Sequence, residues 1–580
     1  MLSNSVAAAS LATAYILGLI LHLNPGLSRH ADHIVPLAST VGLYYVVHLT
    51  VVFYVLLVVR QILARDVFAP AWVSVDVLGW LCAAASGAGA ALMWRNLATF
   101  EKVLDSATVN ALRSSAVVLT AACVLFIGVA SLRKSAPAGR YTWACLLAMI
   151  GAGSVLAPFG LRGEGTRPPL EARTIDVPVD VALSDGSAHV AVIAIDGGSL
   201  DFITRATADG RLPNFGRILD AGAVRYLATL HPTSAEAVWA AVASGKLPQK
   251  NGVRSAGMYQ LSGGGATLQL LPDYCFAHGM MRFGFLVEQP HSSATFRTRT
   301  LWSILSTEGF SVGVVGWPLT QPAPVVRGYL VSDTFQSVAM TASGIENTST
   351  IYPPELQVPA LAAMETTAAD PPPIVPVSLG GGAAIDSRQD AQARTDRIYD
   401  RIARTLSAAR PSQVTLTRYQ SLDAAGHYFL RYAVPSEFGD VSDDERRRFG
   451  SVLEQQYTVV DEAVGRAMGA LGPDDVLLVV SGYGMQPLSL GKRLVERVIG
   501  DPEISGTHEA APDGFLLAYG ATVARGRQLQ RASVVDIVPT ILYYLGLPIG
   551  RDMDGYARTD LFQASFTQER PIAFIPTYER

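Results

Sequence analysis

Cysteine is scarce in this chain, with four in 580 residues. Cys82, Cys123 and Cys145 lie in apolar stretches, and Cys275 stands alone. No CxxC pair and no Cys/His spacing occurs, which argues against a disulfide framework and against structural zinc. Charge is scarce too. Charged residues make up 16% of the chain and the formal net charge is −4. A near-neutral chain of this size offers no basic field for a nucleic-acid partner. No internal repeat is visible.

Apolar residues are what the chain has in excess, at 49%, and the excess lies in the N-terminal part. Five runs are long and apolar enough to cross a bilayer: Val6–His22, Val35–Val59, Trp72–Met93, Ser114–Ser131 and Thr142–Phe159. The first lacks the basic start of a signal peptide, so an uncleaved multi-pass anchor is expected. Five spans put the two ends of the module on opposite sides. Arg60, Arg65, Arg133, Lys134 and Arg140 slightly outweigh Arg29, Arg95, Lys102 and Arg113 on the other side. That bias favours a cytoplasmic N-terminus and an external (periplasmic or extracellular) C-terminal domain. Asp76 and His48 are isolated in the spans, and no inverted repeat is evident, so the module reads as an anchor rather than a transporter.

The expected organisation is a transmembrane module over 1–161, a linker over 162–188 and a large domain over 189–580. In that domain strand-like runs (Val190–Ile195, Ser311–Gly316, Val414–Arg418, Val476–Val480, Phe515–Tyr519) alternate with helical patterns (Asn214–Ala221, Ala235–Ala243, Thr300–Glu308, Asp390–Ala408, Arg446–Leu471). Such alternation predicts a mostly parallel sheet with helices on both faces. Thr341–Arg388 is rich in Pro, Gly, Ala and Thr and reads as an inserted loop or part of a cap. Cap or insert segments are expected at about 255–300 and 335–410.

HVAVIAID, ending at Asp196 and followed by GGSLDF, reads as a buried strand with a carboxylate at its C-terminal tip. In open α/β sheets that edge is where ligands bind; a turn-capping acid is the plainer alternative. Further segments form a pattern with it: HPTSAEAVWAAVASGKLPQKNGV, RYQSLDAAGHYFLRYAVP, VVSGYGM, SGTHEAAPDGFLLAYG and ASVVDIVPTILYYLGLP. Together with LPNFGRILDAGA, RTRTLWSILSTEGFSVGVVGWPLTQPA and IYPPEL, these resemble the alkaline phosphatase superfamily, specifically its type I phosphodiesterase/nucleotide pyrophosphatase branch. The resemblance runs in order from Val190 to Gly555. It implies an α/β fold, an alkaline-phosphatase-like sheet sandwiched by helices with an inserted cap, here preceded by an all-α transmembrane module of about five helices.

The resemblance also implies metal-dependent phosphoester hydrolysis at two ions. One ion activates a hydroxyl and the other stabilises the leaving oxygen. Asp423, His427 and His508 match the Asp/His/His site, and Asp196 matches the first-strand ligand of the second. A carboxylate and two imidazoles with an open position suit zinc, with manganese and iron left open. The second site departs from the family. Its Ser-Asp-His-Gly motif is here Ser481-Gly482-Tyr483-Gly484, so Gly482 offers no donor and Tyr483 a protonated phenol. The family's nucleophile position falls on Ala235, which has no hydroxyl. Thr233 and Ser234 precede it, as nucleophiles if the turn shifts or as the helix N-cap.

Three readings follow. One is a membrane-anchored phosphodiesterase working with one divalent metal, zinc by donor type, with Ser234, Thr233 or a metal-bound water as nucleophile. Another is a catalytically silent ectodomain that binds or scaffolds. The third, drawn from architecture alone, is a phospho-headgroup transferase at the outer leaflet. The implied partners are the lipid bilayer and a phosphoester small molecule or lipid headgroup. His231, Trp239 and Trp317 read as packing residues, His278 and His291 as cap residues, Asp536 as a helix cap, and Glu509 as a carboxylate placed to orient His508.

Overall fold

A computed structural model describes residues 1–64, 74–133, 139–163, 188–265, 267–272, 276–341, 348–368, 383–499, 501–526 and 531–579. The chain divides into two compact units: residues 1–171 with 254–290, and residues 172–253 with 291–580. Most of the expected linker, and Cys275, lie outside the described residues.

The first unit is built on five helices, α1 (Leu2–Leu23), α2 (Ala31–Ala64), α3 (Val75–Phe100), α4 (Ser106–Leu132) and α5 (Arg140–Arg162). Each is long and apolar enough to cross a membrane, and the five apolar runs of the sequence fall on them. Several polar side chains inside the bundle are satisfied locally. Tyr15 and Ser154 share a hydrogen bond of 2.7 Å, and Ser115 meets His22 at 3.0 Å. Arg162 donates to the carbonyls of Leu21 and Leu27 at 2.7 and 2.6 Å. That places the ends of α1 and α5 on one side of the bundle. Residues 254–290 add a three-stranded antiparallel sheet, with Gly257–Leu261 between Thr267–Leu268 and Leu286–Pro290, and a helix at Phe276–Arg282.

The second unit carries a nine-stranded mixed sheet. Its strands are β1 (Val190–Ile195), β2 (Ala223–Ala228), β3 (Val312–Trp317), β4 (Gly328–Ser332), β5 (Ile351–Tyr352), β6 (Val414–Tyr419), β7 (Val476–Tyr483), β8 (Asp513–Tyr519) and β9 (Ala532–Ser533). The spatial order is β9-β2-β8-β7-β1-β6-β3-β4-β5. The central run β7-β1-β6-β3-β4 is parallel, whereas β8 runs antiparallel to both β7 and β2. Alternation along β1 feeds both faces: Val190, Val192 and Ala194 pack into one core, Ile193 and Ile195 into the other. Helix α6 (Ala235–Ser244) lies in the first core. Helices α8 (Ser421–Ala433) and α9 (Val452–Gly469) cover the other, and α7 (Ala383–Ala409) covers β3 and β4 through Ile398, Tyr399, Ile402 and Leu406. This is the α/β fold that the sequence pattern predicts.

Some local expectations differ. Arg446–Leu471 is not one helix: Asp443–Phe449 ends at Gly450 and α9 starts at Val452. Thr341–Arg388 is expected as a loop or part of a cap, and its described part does not fit a loop. It holds β5 and a helix at Gln357–Ala368, whose Ala360 and Ala363 pack against α7.

Candidate metal and phosphoester site

The site lies where three strands of the parallel run end. Past β1, the Asp196 amide donates to Tyr419 O at 3.0 Å, so the strand pairing carries the carboxylate to the sheet rim. Gly197 then turns with φ +67°, and a Cβ there would stand 3.1 Å from the Asp423 Cα. Glycine answers both needs, the left-handed backbone and the close approach. From β6 the chain enters α8. Its first amides, Gln420 N and Ser421 N, both donate to the buried Asp396 of α7 at 2.9 Å. Asp396 thereby fixes the start of the helix that carries Asp423.

Asp423 and His427 are four residues apart on α8, hence on one face. His427 Nε2 is 3.5 Å from Asp423 Oδ2. The other ring nitrogen, Nδ1, donates to Gly506 O at 2.9 Å, which leaves Nε2 facing Asp423, as a proton donor to it when the ring is charged and as a metal ligand when it is neutral. His508 follows a short strand, Gly506–Thr507, paired with Gln486–Pro487. Its ring centroid lies 5.2 Å from that of His427 and 5.1 Å from that of Tyr483. One ligand atom from each of Asp423, His427 and His508 falls within 4.8 Å of the others. Asp423 Oδ1 and His508 Nδ1 are buried without a hydrogen-bond partner among the described residues. Two lone pairs left open at this spacing suit a divalent cation.

The charges of the three groups act on one another. Burial works to raise the Asp423 carboxyl, but the hydrogen bond from His427 and the surrounding positive groups hold it below its ordinary value. Burial lowers His427 while Asp423 more than offsets it, so the imidazole sits above its usual range. His508 is pushed down by burial.

Asp196 does not join this trio. The guanidinium of Arg418, at the end of β6, reaches across to it. Arg418 Nε stands 3.0 Å from Oδ1 and 3.1 Å from Oδ2, with Nη2 also on Oδ2. The two side chains are 3% and 10% exposed, a buried bidentate pair. Burial opposes the guanidinium charge, yet the Asp196 carboxylate holds its pKa above the ordinary value. Gly482 is packed over as well, since a Cβ there would stand 2.4 Å from Val238 Cγ1 of α6. The Tyr483 hydroxyl is buried with no hydrogen-bond partner among the described residues. Its pKa is raised far above the usual value by burial, reinforced by Asp196 and Asp423. A cation, a closed glycine and a neutral phenol therefore surround the carboxylate. The residues present do not fit a second metal ion.

Of the two hydroxyls beside Ala235, Thr233 is buried and donates to Leu230 O at 2.8 Å. Ser234 caps α6, accepting from Ala237 N at 3.3 Å. Glu509 pairs with Lys492 rather than with His508, contrary to the orienting role expected of it. Trp239 and Trp317 are buried in edge contact, centroids 5.3 Å apart.

Three residues of the site escape the motif reading: Arg418, Asp396 and Glu236. Arg418 left one sequence signal, a cation on the last turn of a strand otherwise apolar inward. Glu236 sits in the first turn of α6. Burial, with Asp196 and Asp423 nearby, lifts its carboxyl to about 7 against the pull of Arg418.

Residues 190–524 match the type I phosphodiesterase / nucleotide pyrophosphatase family. The match spans more than half of the chain, which therefore belongs to that family, a branch of the alkaline phosphatase superfamily. No curated protein matches the chain. Solved structures similar to it include murine ectonucleotide pyrophosphatase / phosphodiesterase 5, and an inactive variant of the same protein in complex with AMP. Each shares 12% identity and covers 65% of this chain and 100% of its own, with TM-scores of 0.37 and 0.38. A mutant of alkaline phosphatase PafA is similar at 12% identity and TM-score 0.40, covering 66% of this chain and 100% of its own.

Proposed function

We propose that this protein binds one divalent ion, and through it one phosphoester, without running the two-ion displacement of its family. The observation that carries the reading is the bidentate Arg418–Asp196 pair. It is neutral as a whole and takes the carboxylate that a second ion would need. Asp423, His427 and His508 would hold the remaining ion, zinc by donor type. Such an ion supplies Lewis-acid attraction for a phosphoryl oxygen. One carboxylate and two neutral imidazoles leave a dication with a net positive charge, suited to an anionic ester. Arg418 acts here as a fixed structural cation, and Ser234 acts as a helix cap.

Five apolar helices read as a multi-pass anchor, with the second unit on the external side. The phosphoester is then a small molecule or a lipid headgroup. A second reading, hydrolysis with a single ion, is favoured by Glu236. A carboxyl titrating near neutrality beside the site suits proton transfer.

The test uses the full chain in nanodiscs. Bound metal is counted, AMP binding is measured, and hydrolysis of an aryl phosphodiester is followed. One ion per chain, AMP binding that needs the ion, and no turnover are expected. Two ions per chain with turnover lost in Asp423→Ala would overturn the proposal. Turnover with one ion, lost in Glu236→Gln at unchanged ion content, would select the second reading.

A further inference from the structure

Helix α2 is 34 residues long. At ~1.5 Å per residue it measures about 50 Å, well beyond the ~30 Å of a bilayer's hydrocarbon core. Part of it must stand outside. The structure identifies which part. Along its first half α2 carries the small sheet of residues 254–290. Leu37, Val41, Tyr44 and Tyr45 share one buried cluster with Leu261, Leu268, Met280 and Leu286. The position of a Gly265 Cβ lies 3.2 Å from Pro36. A three-stranded sheet has open edges, and open edges with unpaired N–H and C=O groups do not occur facing hydrocarbon. The stretch of α2 that carries the sheet is therefore outside the core. The stretch from about Tyr45 to Leu63 is left to span it, and at ~1.5 Å per residue its length of about 28 Å matches the core thickness.

Segment 254–290 does not hang loosely beside α2. Asn24, just past α1, clamps it: Nδ2 donates to Leu270 O at 2.7 Å, and Oδ1 accepts from Gln269 N and Leu270 N at 2.8 and 3.1 Å. At the level where α2 leaves the sheet, aromatic rings gather. The Phe283 centroid is 6.0 Å from His48 and 6.3 Å from Tyr44, and Phe285 is 5.4 Å from Tyr44. Phe283 is nevertheless 63% exposed and Val287 51% exposed. The Phe283 ring adjoins α2 at Tyr44 and His48, and along α2 Val47, Val51, Val55 and Val59 are exposed.

We propose that residues 254–290 form an interfacial element, with Phe283 and Val287 seated in the headgroup–acyl boundary of the leaflet at the α1–α2 turn. The occupant of this surface is phospholipid. Aromatic side chains concentrate at that depth because their rings are apolar and tolerate its polarity gradient, and a clamped element bearing an exposed Phe lies in the plane of the interface. The proposal rests on the reading of α2 as a membrane span.

The test places single cysteines in a background with the four native cysteines replaced. The sites are Phe283→Cys, Val287→Cys, Val51→Cys and, as an aqueous reference, Tyr556→Cys. Each full chain is labelled with an environment-sensitive dye and reconstituted in phosphatidylcholine/phosphatidylglycerol nanodiscs. Nitroxide lipids carry the quencher near the headgroup or near the chain end. Labels at 283 and 287 are expected to be quenched several-fold more by the shallow nitroxide than by the deep one, Val51 more by the deep one, and Tyr556 by neither. Labels at 283 and 287 that match Tyr556, with Val51 quenched, would overturn the interfacial element alone. Loss of quenching at Val51 as well would overturn the span reading beneath it.

Discussion

Arg418 and Asp196 stand at the ends of adjacent parallel strands and share a two-pronged hydrogen-bonded ion pair inside the sheet rim. In β1 and β6 the register sets Arg418 opposite Ala194. The long guanidinium stem therefore reaches forward two residues to the carboxylate. A lone Asp buried there would be costly, and a lone Arg equally so. Each offsets the desolvation of the other, and the pair locks two strands at the place where the site is built.

Breaking that pair from one side should destabilise the second unit. Arg418→Met leaves Asp196 buried without its cation, a change of about 3–5 kcal/mol for buried pairs. Asp196→Asn keeps one acceptor and should cost less. Thermal unfolding of the metal-free protein, followed by tryptophan fluorescence, checks the order: wild type above Asp196→Asn above Arg418→Met. A stable Arg418→Met protein would count against the pair as a structural lock.

Metal affinity should rise with pH through the ordinary histidine range and beyond its upper end, because the imidazoles must be free of protons to act as ligands. Asp423 holds the His427 pKa above its ordinary value, burial opposing. Proton competition therefore extends higher for His427 than for a free histidine, and His508, pushed down by burial, contributes little. Zinc titration at several pH values reads this directly. In His427→Ala and His508→Ala the affinity should fall by more than tenfold, a loss of about 1.4 kcal/mol or more.

Gly482→Asp alone should not rebuild a second ion site. Its Cβ would fall 2.4 Å from Val238 Cγ1, and overpacking of that kind costs about 1–3 kcal/mol. Combining it with Val238→Ala should restore stability, yet the ion count should stay at one while Arg418 holds Asp196. Metal analysis of the two variants separates the steric obstacle from the electrostatic one.

Much of this arrangement was legible in the chain. β1 and β7 are near-continuous apolar runs because both of their faces are covered, and such runs stand out in sequence. The Asp423–His427 spacing already places both on one helical face. Three things were hidden, each for a physical reason. The Arg418–Asp196 pair joins residues 222 positions apart, and no local pattern encodes such a meeting. β2 contains Arg225, which breaks the apolar pattern and whose charge is met by Asp560 at 2.9 Å, far along the chain. The packing of 254–290 with the long helices depends on Asn24, one polar residue in a turn.

Glu236 should make stability fall as pH rises through neutrality. Its folded pKa is about 7 against an ordinary 4.5, raised by burial. Below pH 4.5 the carboxyl is protonated in both states and contributes no pH dependence. Between 4.5 and 7 the folded protein keeps a proton that the unfolded chain has lost, so each step up in pH favours unfolding. Above the folded pKa the loss is complete. Glu236→Gln removes the charge and most of this slope. The difference in melting temperature between Glu236→Gln and wild type should therefore be small near pH 4.5 and largest above pH 7. A difference that does not change with pH would mean that Glu236 is charged throughout and faces water rather than the site.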